Sequence, residues 1–200
     1  MEVKKIVNDF IEENSFIIYQ DNIAVVVDPG SNFDSMRDFL NSKNIEKVYV
    51  YLTHGHVDHI VSVPQFKEVY NAPVYTHKYE LPLLEDTRLN MSEGIVIDYA
   101  IGIEDYLEIP DFGKFRLYHT PGHTYGHSML KVDELNALFT GDFIFKHEIG
   151  RCDLATGNIQ EMFRSLEMIK LMDPNLNIYC GHGPDTTVGE EIAHNMYLNR

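Results

Sequence analysis

The stretch KVYVYLTHGHVDH, residues 47–59, runs from an apolar segment into a dense group of imidazole and carboxylate side chains. In an extended chain His54 and His56 project to the same side, and the turn that follows brings Asp58 and His59 to a neighbouring position. Imidazole and carboxylate ligands suit zinc, iron or manganese, and the lack of a thiolate argues against a closed structural zinc site. The stretch therefore predicts a strand that ends in an open metal site.

Three further apolar runs end on side chains of the same kind. FRLYHTPG leads to His123, ALFTG to Asp142 and NIYCG to His182. Open sheets generally form their sites where strands end, because the loops there are supported by rigid strands. A histidine-rich surface loop would explain THGHVDH (residues 53–59) alone, but it would not explain four runs that end in this way. We expect the four run ends to meet in one metal-binding pocket.

Apolar periodicity predicts a mixed α/β fold, and a length of 200 residues predicts one domain that spans residues 1–200. Residues 81–109 are the least regular part of the chain and are predicted to form a loop with short helical pieces that covers a site. Strands are predicted at about residues 15–20, 23–28, 46–52, 114–119, 128–132, 136–140 and 176–180.

Two apolar stripes predict helices whose stripes face the core. The first stripe runs from Phe33 to Leu40, and Ser31 with Asp34 resembles a capping pair at its start. The second is opened by Asn158 with an acidic residue three positions later, and it consists of Ile159, Met162, Phe163, Leu166 and Ile169.

The composition restricts the partners and the compartment. A formal net charge of −15 repels phosphate backbones and anionic membranes, so we expect neither nucleic acid nor a membrane as a partner. No stretch approaches the roughly 20 apolar residues of a membrane span, and acidic residues interrupt the first segment before it could form a signal-peptide core. Cys152 and Cys180 form no CxxC pair, which predicts plain thiols in a cytoplasmic protein. No oligomeric state is predicted.

Taken together, the motifs resemble the metallo-β-lactamase superfamily, in which an HxHxDH motif is followed by a later His, Asp and His. The resemblance extends from Asp28 to the C-terminus, and the segments 141–153 and 181–191 resemble small glyoxalase II-like hydrolases, the hydroxyacylglutathione hydrolases. It implies a four-layer αβ/βα sandwich of two mixed β-sheets flanked by helices, with the site at one edge. The implied metal ligands are His54, His56 and His123 for one ion and Asp58, His59 and His182 for a second, with Asp142 bridging.

The resemblance also implies the reaction and the cofactors. Two divalent ions, with Zn²⁺ expected first and Fe or Mn as alternatives, would lower the pKa of a shared water towards about 7. The hydroxide so formed would cleave a thioester such as S-lactoylglutathione or a related small-molecule acyl-thiol. Asp58 is the predicted catalytic residue, because in the family it both binds metal and orients the attacking water. A carboxylate at Asp142 is typical of the glyoxalase-like and oxidoreductase branches and disfavours antibiotic hydrolysis.

Several other residues receive weaker predictions. Asp28 matches a family position near the metals, and a turn-forming aspartate before proline is the alternative interpretation. His127 is a candidate to orient His123 through a hydrogen bond, with a structural role as the alternative. Arg151 lies where glyoxalase II enzymes often carry a basic substrate contact. Surface or interior positions without a role in the site are expected for His77, His119, His147 and His194.

Two other function classes stay open. A persulfide dioxygenase-like oxidoreductase would use one iron at His54 and His56 with an aspartate. A non-catalytic metal-binding module would use the site only to stabilise the fold, although a structural zinc site normally has four ligands and this chain offers seven.

Overall fold

Two six-stranded mixed β-sheets form the centre of the protein in the computed structural model, which describes residues 1–9 and 11–199. The strands of the first sheet lie in chain order: β1 (Glu2–Val7), β2 (Asn14–Gln20), β3 (Ile23–Val27), β4 (Lys47–Leu52), β5 (Val74–His77) and β6 (Ile101–Ile103). The second sheet contains β7 (Tyr106–Ile109), β8 (Gly113–His119), β9 (Ser128–Val132), β10 (Ala137–Gly141), β13 (Asn177–Cys180) and β14 (Thr186–Thr187). A small hairpin is formed by β11 (Ile144–Phe145) and β12 (Glu148–Ile149).

Each sheet contains both parallel and antiparallel strand pairs. In the first sheet β3, β4, β5 and β6 are parallel, and the β1–β2–β3 part is antiparallel. The second sheet has the order β14-β13-β10-β9-β8-β7, with β10 and β13 parallel and its other pairs antiparallel. The parallel strands within each sheet deliver their carboxyl ends to one edge, which is where a site is expected.

Helices cover the outer face of each sheet. The helices are α1 (Phe33–Ser42), α2 (Val57–Ile60), α3 (Val63–Tyr70), α4 (Leu81–Glu85), α5 (Ile159–Leu166) and α6 (Val188–His194), with short 3₁₀ turns at Lys78–Glu80, Asp133–Leu135 and Ile169–Leu171. Among the described residues, no helix has the length and apolar character needed to cross a lipid bilayer.

Alternation along the strands separates three apolar layers. On β2, Phe16 and Ile18 face the second sheet, whereas Ile17 faces α1 and α3. Leu138 of β10 and Met162 of α5 belong to the third layer, between the second sheet and its helices. The predicted four-layer αβ/βα sandwich is therefore confirmed.

The predicted elements are largely present, with local corrections. All seven predicted strands occur within about two residues of their expected bounds. The segment 81–109 contains α4 and the edge strands β6 and β7, so it is more regular than predicted. Ile159, the first residue of α5, is 38% exposed and is not part of the core face.

The capping predictions differ in outcome. Asn158 caps α5 as predicted, because its side chain accepts hydrogen bonds from the amides of Gln160 and Glu161. α1 begins at Phe33 after Asn32, one residue later than the Ser31 capping pair predicts, and the Asn32 side chain makes no capping bond. The Asn32 amide instead donates to the side chain of Asn8 at 2.6 Å, so a contact with the first hairpin fixes the start of α1.

Candidate metal centre

The predicted ligands follow the carboxyl ends of strands from both sheets. β4 ends at Leu52 before the THGHVDH loop, and β8 ends at His119 before the PGHTYGH loop (residues 121–127). Asp142 and His182 follow β10 and β13. Gly141 has a φ of 45°, and a Cβ on it would collide with the Thr53 hydroxyl, so glycine lets β10 end directly beside β4.

Three histidines form the first ligand group. Ring nitrogens of His54, His56 and His123 lie within 4.8 Å of one another, and all three side chains are buried. His56 Nδ1 and His123 Nε2 are 2.9 Å apart. His123 Nδ1 lies 2.8 Å from the carbonyl oxygen of Arg151, which accepts only, so the lone pair of His123 is on Nε2 and points into the group.

Asp58, His59 and His182 form the second ligand group, again within 4.8 Å. His182 Nε2 lies 3.2 Å from Asp58 Oδ2. Asp142 lies between the groups: its Oδ2 is 3.6 Å from His123 Nε2, and its Oδ1 is 3.3 Å from His59 Nε2. The structure thus brings all seven predicted ligands together, with one oxygen of Asp142 facing each group.

The donor atoms of this cluster fit divalent metal ions. Within the described chain His54 Nε2, His59 Nε2 and Asp142 Oδ1 are buried and make no hydrogen bond. A buried polar atom left without a partner costs about 1–3 kcal/mol, so three in one cluster would be strongly unfavourable unless another group satisfied them. Nitrogen and oxygen donors in two groups, with no sulfur, are the ligands expected for zinc, iron or manganese.

The electrostatics of the cluster also favour bound cations. Burial lowers the pKa of His54 well below its usual value and that of His56 to about 3, so both imidazoles are neutral, which is the form that binds metal. Burial would lower the pKa of His59 as well, but the carboxylates of Asp142 and Asp58 raise it well above its usual value. Burial would raise the pKa of Asp142, but His59 keeps it below its usual value. The acidic side of the cluster therefore favours positive charge at its centre.

Asp28 supports the THGHVDH loop from β3. Its Oδ1 accepts a hydrogen bond from the Thr53 amide at 2.8 Å, and its Oδ2 accepts one from the Thr53 hydroxyl at 2.6 Å. Oδ2 also lies 3.1 Å from His59 Nδ1, which directs His59 Nε2 towards the second ligand group. Asp28 has a φ of 50°, an uncommon conformation for a residue with a side chain. An oxygen of Asp28 also lies within 4.8 Å of ring nitrogens of His54 and His59, but both of its oxygens already contact Thr53 or His59, which fits the predicted orienting role.

The contacts of His127 favour the structural interpretation over a hydrogen bond to His123. His127 Nδ1 lies 3.0 Å from the Thr120 hydroxyl, and His123 uses the Arg151 carbonyl instead. The Ser128 amide donates to the Thr53 carbonyl at 2.9 Å, which places the buried His127 ring beside the end of β4. His127 therefore contacts the cluster by packing, with its ring centroid 5.3 Å from that of His54.

Arg151 contributes its backbone to the site more directly than its side chain. The guanidinium group is exposed and forms a two-contact ion pair with Asp153, with N–O distances of 2.7 and 2.9 Å. The Arg151 carbonyl orients His123, and the residue also lines the cavity over the metal centre.

The four histidines predicted to have no role lie outside both ligand groups. His77 stacks on His119 with the ring centroids 4.2 Å apart. His147 lies 2.9 Å from a carboxylate oxygen of Glu190, and His194 is near the same carboxylate.

Glu80 joins the two loops that carry the first ligand group, and nothing in the sequence singles it out. Its Oε1 accepts a hydrogen bond from the Gly55 amide, and its Oε2 accepts from the Gly126 amide and the Thr124 hydroxyl, each at 2.9 Å. Burial raises the pKa of this carboxyl to about 7. Glu80 therefore fixes the THGHVDH loop against the PGHTYGH loop.

Glu13 is a second buried carboxyl that the sequence does not reveal. Its Oε1 lies 3.7 Å from His59 Nδ1, and its other oxygen contacts the side chains of Asn8 and Ser15. Burial raises the pKa of Glu13 well above its usual value. Its backbone pairs with that of His182 in an isolated β-bridge. Glu13 thus ties the His182 loop to the first hairpin.

A cavity of about 220 Å³ opens over the metal centre. Its walls contain ligand residues together with the apolar residues Ile11, Val57, Met91 and Leu154. This size suits a small substrate or the reacting end of a larger one.

Comparisons with known sequences agree with this geometry. The Metallo-beta-lactamase superfamily model matches residues 9–182. The "Probable metallo-hydrolase YqgX" of Bacillus subtilis (strain 168) is 31% identical over 198 residues, which cover 94% of this chain and 93% of the relative. A hydroxyacylglutathione hydrolase of Pelagibacter ubique (strain HTCC1062) is 32% identical over 161 residues, or 80% of this chain and 62% of that protein.

Solved structures show the same fold. The crystal structure of the BLEG-1 B3 metallo-beta-lactamase has a TM-score of 0.89 at 31% identity, with 100% of this chain and 100% of that chain covered. TTHA1623 in a di-iron-bound form has a TM-score of 0.86 at 29% identity, with 98% of this chain and 100% of that chain covered. ETHE1 from Myxococcus xanthus has a TM-score of 0.81 at 22% identity, with 100% of this chain and 86% of that chain covered. At this identity the similarity shows the fold alone. With the family model spanning most of the chain and relatives aligned along nearly its full length, the protein belongs to the metallo-β-lactamase superfamily of metallo-hydrolases.

Proposed function

We propose that the protein is a dinuclear metal-dependent hydrolase that cleaves thioesters, with Zn²⁺ as the expected metal. The observation that carries this proposal is the position of Asp142, which directs one oxygen to each ligand group. A carboxylate between two groups of donors is the arrangement that a pair of ions requires. His54, His56 and His123 would hold one ion, and Asp58, His59 and His182 the other.

The chain's own residues define what the site can do. When bound, a pair of divalent ions polarises an acyl carbonyl and lowers the pKa of water so that a nucleophile forms at neutral pH. Burial would raise the pKa of Asp58, but His59 and His182 keep it below its usual value, so its carboxylate is ionised and can accept a hydrogen bond from water. Asp58 lines the cavity and is placed to orient an attacking water. A thiolate is a good leaving group, so the reaction needs no strong general acid at the sulfur.

The relatives support the reaction class. The hydroxyacylglutathione hydrolase of P. ubique carries the name of a thioester hydrolase, and the B. subtilis relative carries that of a probable metallo-hydrolase. We further propose a small-molecule acyl-thiol as the substrate. We propose the cytoplasm as the location, since Cys152 and Cys180 are both free thiols.

A second candidate function is β-lactam hydrolysis. It is favoured by the 31% identity with BLEG-1, described as a B3 metallo-beta-lactamase, along the whole chain. This reaction also begins with attack of water on a carbonyl group, so the same residues could carry it. A single-iron oxygenase is less well supported, because it gives no role to the second ligand group of Asp58, His59 and His182.

Metal analysis combined with substrate assays tests the proposal. Protein purified without added metal is analysed for zinc, iron and manganese, and thiol release is followed with S-D-lactoylglutathione and an uncharged N-acetylcysteamine thioester in air and under anaerobic conditions. We expect about two metal ions per chain and thiol release that does not depend on oxygen. Oxygen consumption in a parallel assay with glutathione persulfide, together with one iron per chain, would support the oxygenase instead. Cleavage of a β-lactam such as nitrocefin without thioester cleavage would support the second candidate.

A further inference from the structure

Two exposed apolar side chains lie at the mouth of the metal site. Ile11 and Met91 both line the cavity over the metal centre, and they are 57% and 48% exposed. Ile11 lies in the turn between β1 and β2, and Met91 lies between α4 and β6. Single exposed apolar residues are common on protein surfaces. Here two distant parts of the chain place such groups over the same cavity.

Both residues have an uncommon backbone conformation. Ile11 has a φ of 61° and Met91 a φ of 60°. The left-handed region is unfavourable for residues with a Cβ atom, and most of all for a β-branched residue such as isoleucine. Such conformations persist only where the surrounding structure fixes them, and they cluster at ligand-binding sites.

Polar groups next to each turn provide this support. In the first turn the Asn8 amide donates to the Glu13 carbonyl at 2.7 Å, which closes the chain around Ile11. In the second, Asn90 is buried: its side chain donates to the Ile95 carbonyl at 2.9 Å and accepts from the Ser92 amide at 2.9 Å. Ile11 and Met91 are therefore the exposed tips of anchored turns.

The described residues that line the remainder of the cavity mouth include no unpaired Lys or Arg. Val57 and Leu154 add apolar surface to its lining. Of the described residues that line it, Arg151 is the sole Lys or Arg, and its guanidinium is already paired with Asp153. The net charge of −15 further opposes the approach of an anion. Carboxylates or phosphates of an anionic thiol carrier would find no unpaired Lys or Arg among the described residues of this lining.

We propose that the preferred substrate is a thioester that is uncharged and apolar on both sides of the scissile bond, with its acyl chain or thiol arm packed against Ile11 and Met91. This inference rests on the proposed thioester hydrolysis. It makes Ile11 and Met91 specificity-determining residues and places glutathione thioesters among the poorer substrates.

The test compares two thioesters that share an acyl chain and differ in charge. Thiol release by the zinc-loaded protein is measured with the hexanoyl esters of N-acetylcysteamine, which is uncharged, and of glutathione, which is anionic. We expect kcat/KM to be at least about tenfold higher for the uncharged ester. Ile11→Ser and Met91→Ser should each raise the KM for that ester about tenfold and leave kcat within about twofold, since they remove binding and not chemistry.

Val69→Ser and Met196→Ser are the matched controls, because these side chains are 54% and 62% exposed and do not line the cavity. Their KM values should equal that of the unmodified protein. Higher efficiency with the glutathione ester, or an unchanged KM in both Ile11→Ser and Met91→Ser, would overturn the inference and leave the hydrolase assignment intact. If S-D-lactoylglutathione is cleaved and the uncharged ester is not, the inference fails alone. If no thioester is cleaved with the metal content verified, the proposed function and the inference fail together.

Discussion

The carboxylate of Glu80 accepts a hydrogen bond from the backbone amide of Gly55 at 2.9 Å, between His54 and His56 of the first ligand group. Its other oxygen accepts from the Gly126 amide in the loop that carries His123. One buried side chain thus sets the distance between two loops whose histidines must converge on one ion. Residues that orient metal ligands commonly affect metal affinity although they do not touch the metal.

Glu80→Gln should weaken metal binding about 10–100-fold. The amide nitrogen of glutamine cannot accept a hydrogen bond, so at least one of the two loops loses its contact. The measurement is a competition titration of metal-free protein with a chromophoric chelator, and circular dichroism verifies the fold. Glu85→Gln, on the exposed side of α4, is the control. Unchanged metal affinity in folded Glu80→Gln would show that Glu80 does not position the ligands.

Glu80 also predicts a pH dependence of stability in the chelator-treated protein. Burial raises the pKa of this carboxyl from 4.5 to about 7. Between these values the folded chain binds more protons than the unfolded chain, so the free energy of unfolding falls as the pH rises, by up to about 3 kcal/mol. Urea denaturation at several pH values from about 4.5 to 7 should show this loss, and Glu80→Gln should lack this component of it. Equal pH slopes in the two proteins would contradict the raised pKa.

Asp58→Ala should lower kcat by about 10²–10⁴-fold while the fold is retained. The variant loses both a ligand of the second group and the acceptor placed to orient water. Steady-state kinetics and metal analysis are measured together, and Asp98→Ala, at an exposed position, is the control. Near-normal turnover with unchanged metal content would remove Asp58 from the mechanism.

Arg151→Ala should have little effect on metal binding, because the contact at 2.8 Å to His123 comes from the backbone carbonyl. The ion pair with Asp153 is exposed to solvent and is expected to contribute little to stability. We expect the metal Kd to stay within about twofold and the KM for a glutathione thioester within about threefold. Arg164→Ala, whose side chain is exposed and paired with Glu161, is the matched control. A large rise in KM confined to Arg151→Ala would restore this side chain as a substrate contact.

Much of the fold and of the ligand set could be predicted because the information is local. Each run of alternating or continuous apolar residues specifies a strand wherever one face must be buried, and KVYVYL before His54 is an example. The ligands follow such runs, so their meeting at the ends of strands could be expected from the sequence. The predictions were less exact where distant parts of the chain meet, as at the start of α1, where the Asn32 amide donates to the Asn8 side chain.

The sequence by itself thus indicated a mixed α/β fold and metal-binding side chains at the ends of apolar runs, since strand periodicity and motif spacing act over a few residues. The layered sandwich and the assignment of seven ligands followed from the family that the motifs resemble. Only the tertiary structure decided which groups hold those donors in place. Glu80 and Gly55 are separated by 25 residues, and Arg151 and His123 by 28. A glutamate buried against a loop can have the same local sequence pattern as a glutamate on the surface. What distinguishes them is loss of solvent and a hydrogen-bond partner brought near by folding, and neither is encoded in the neighbouring residues.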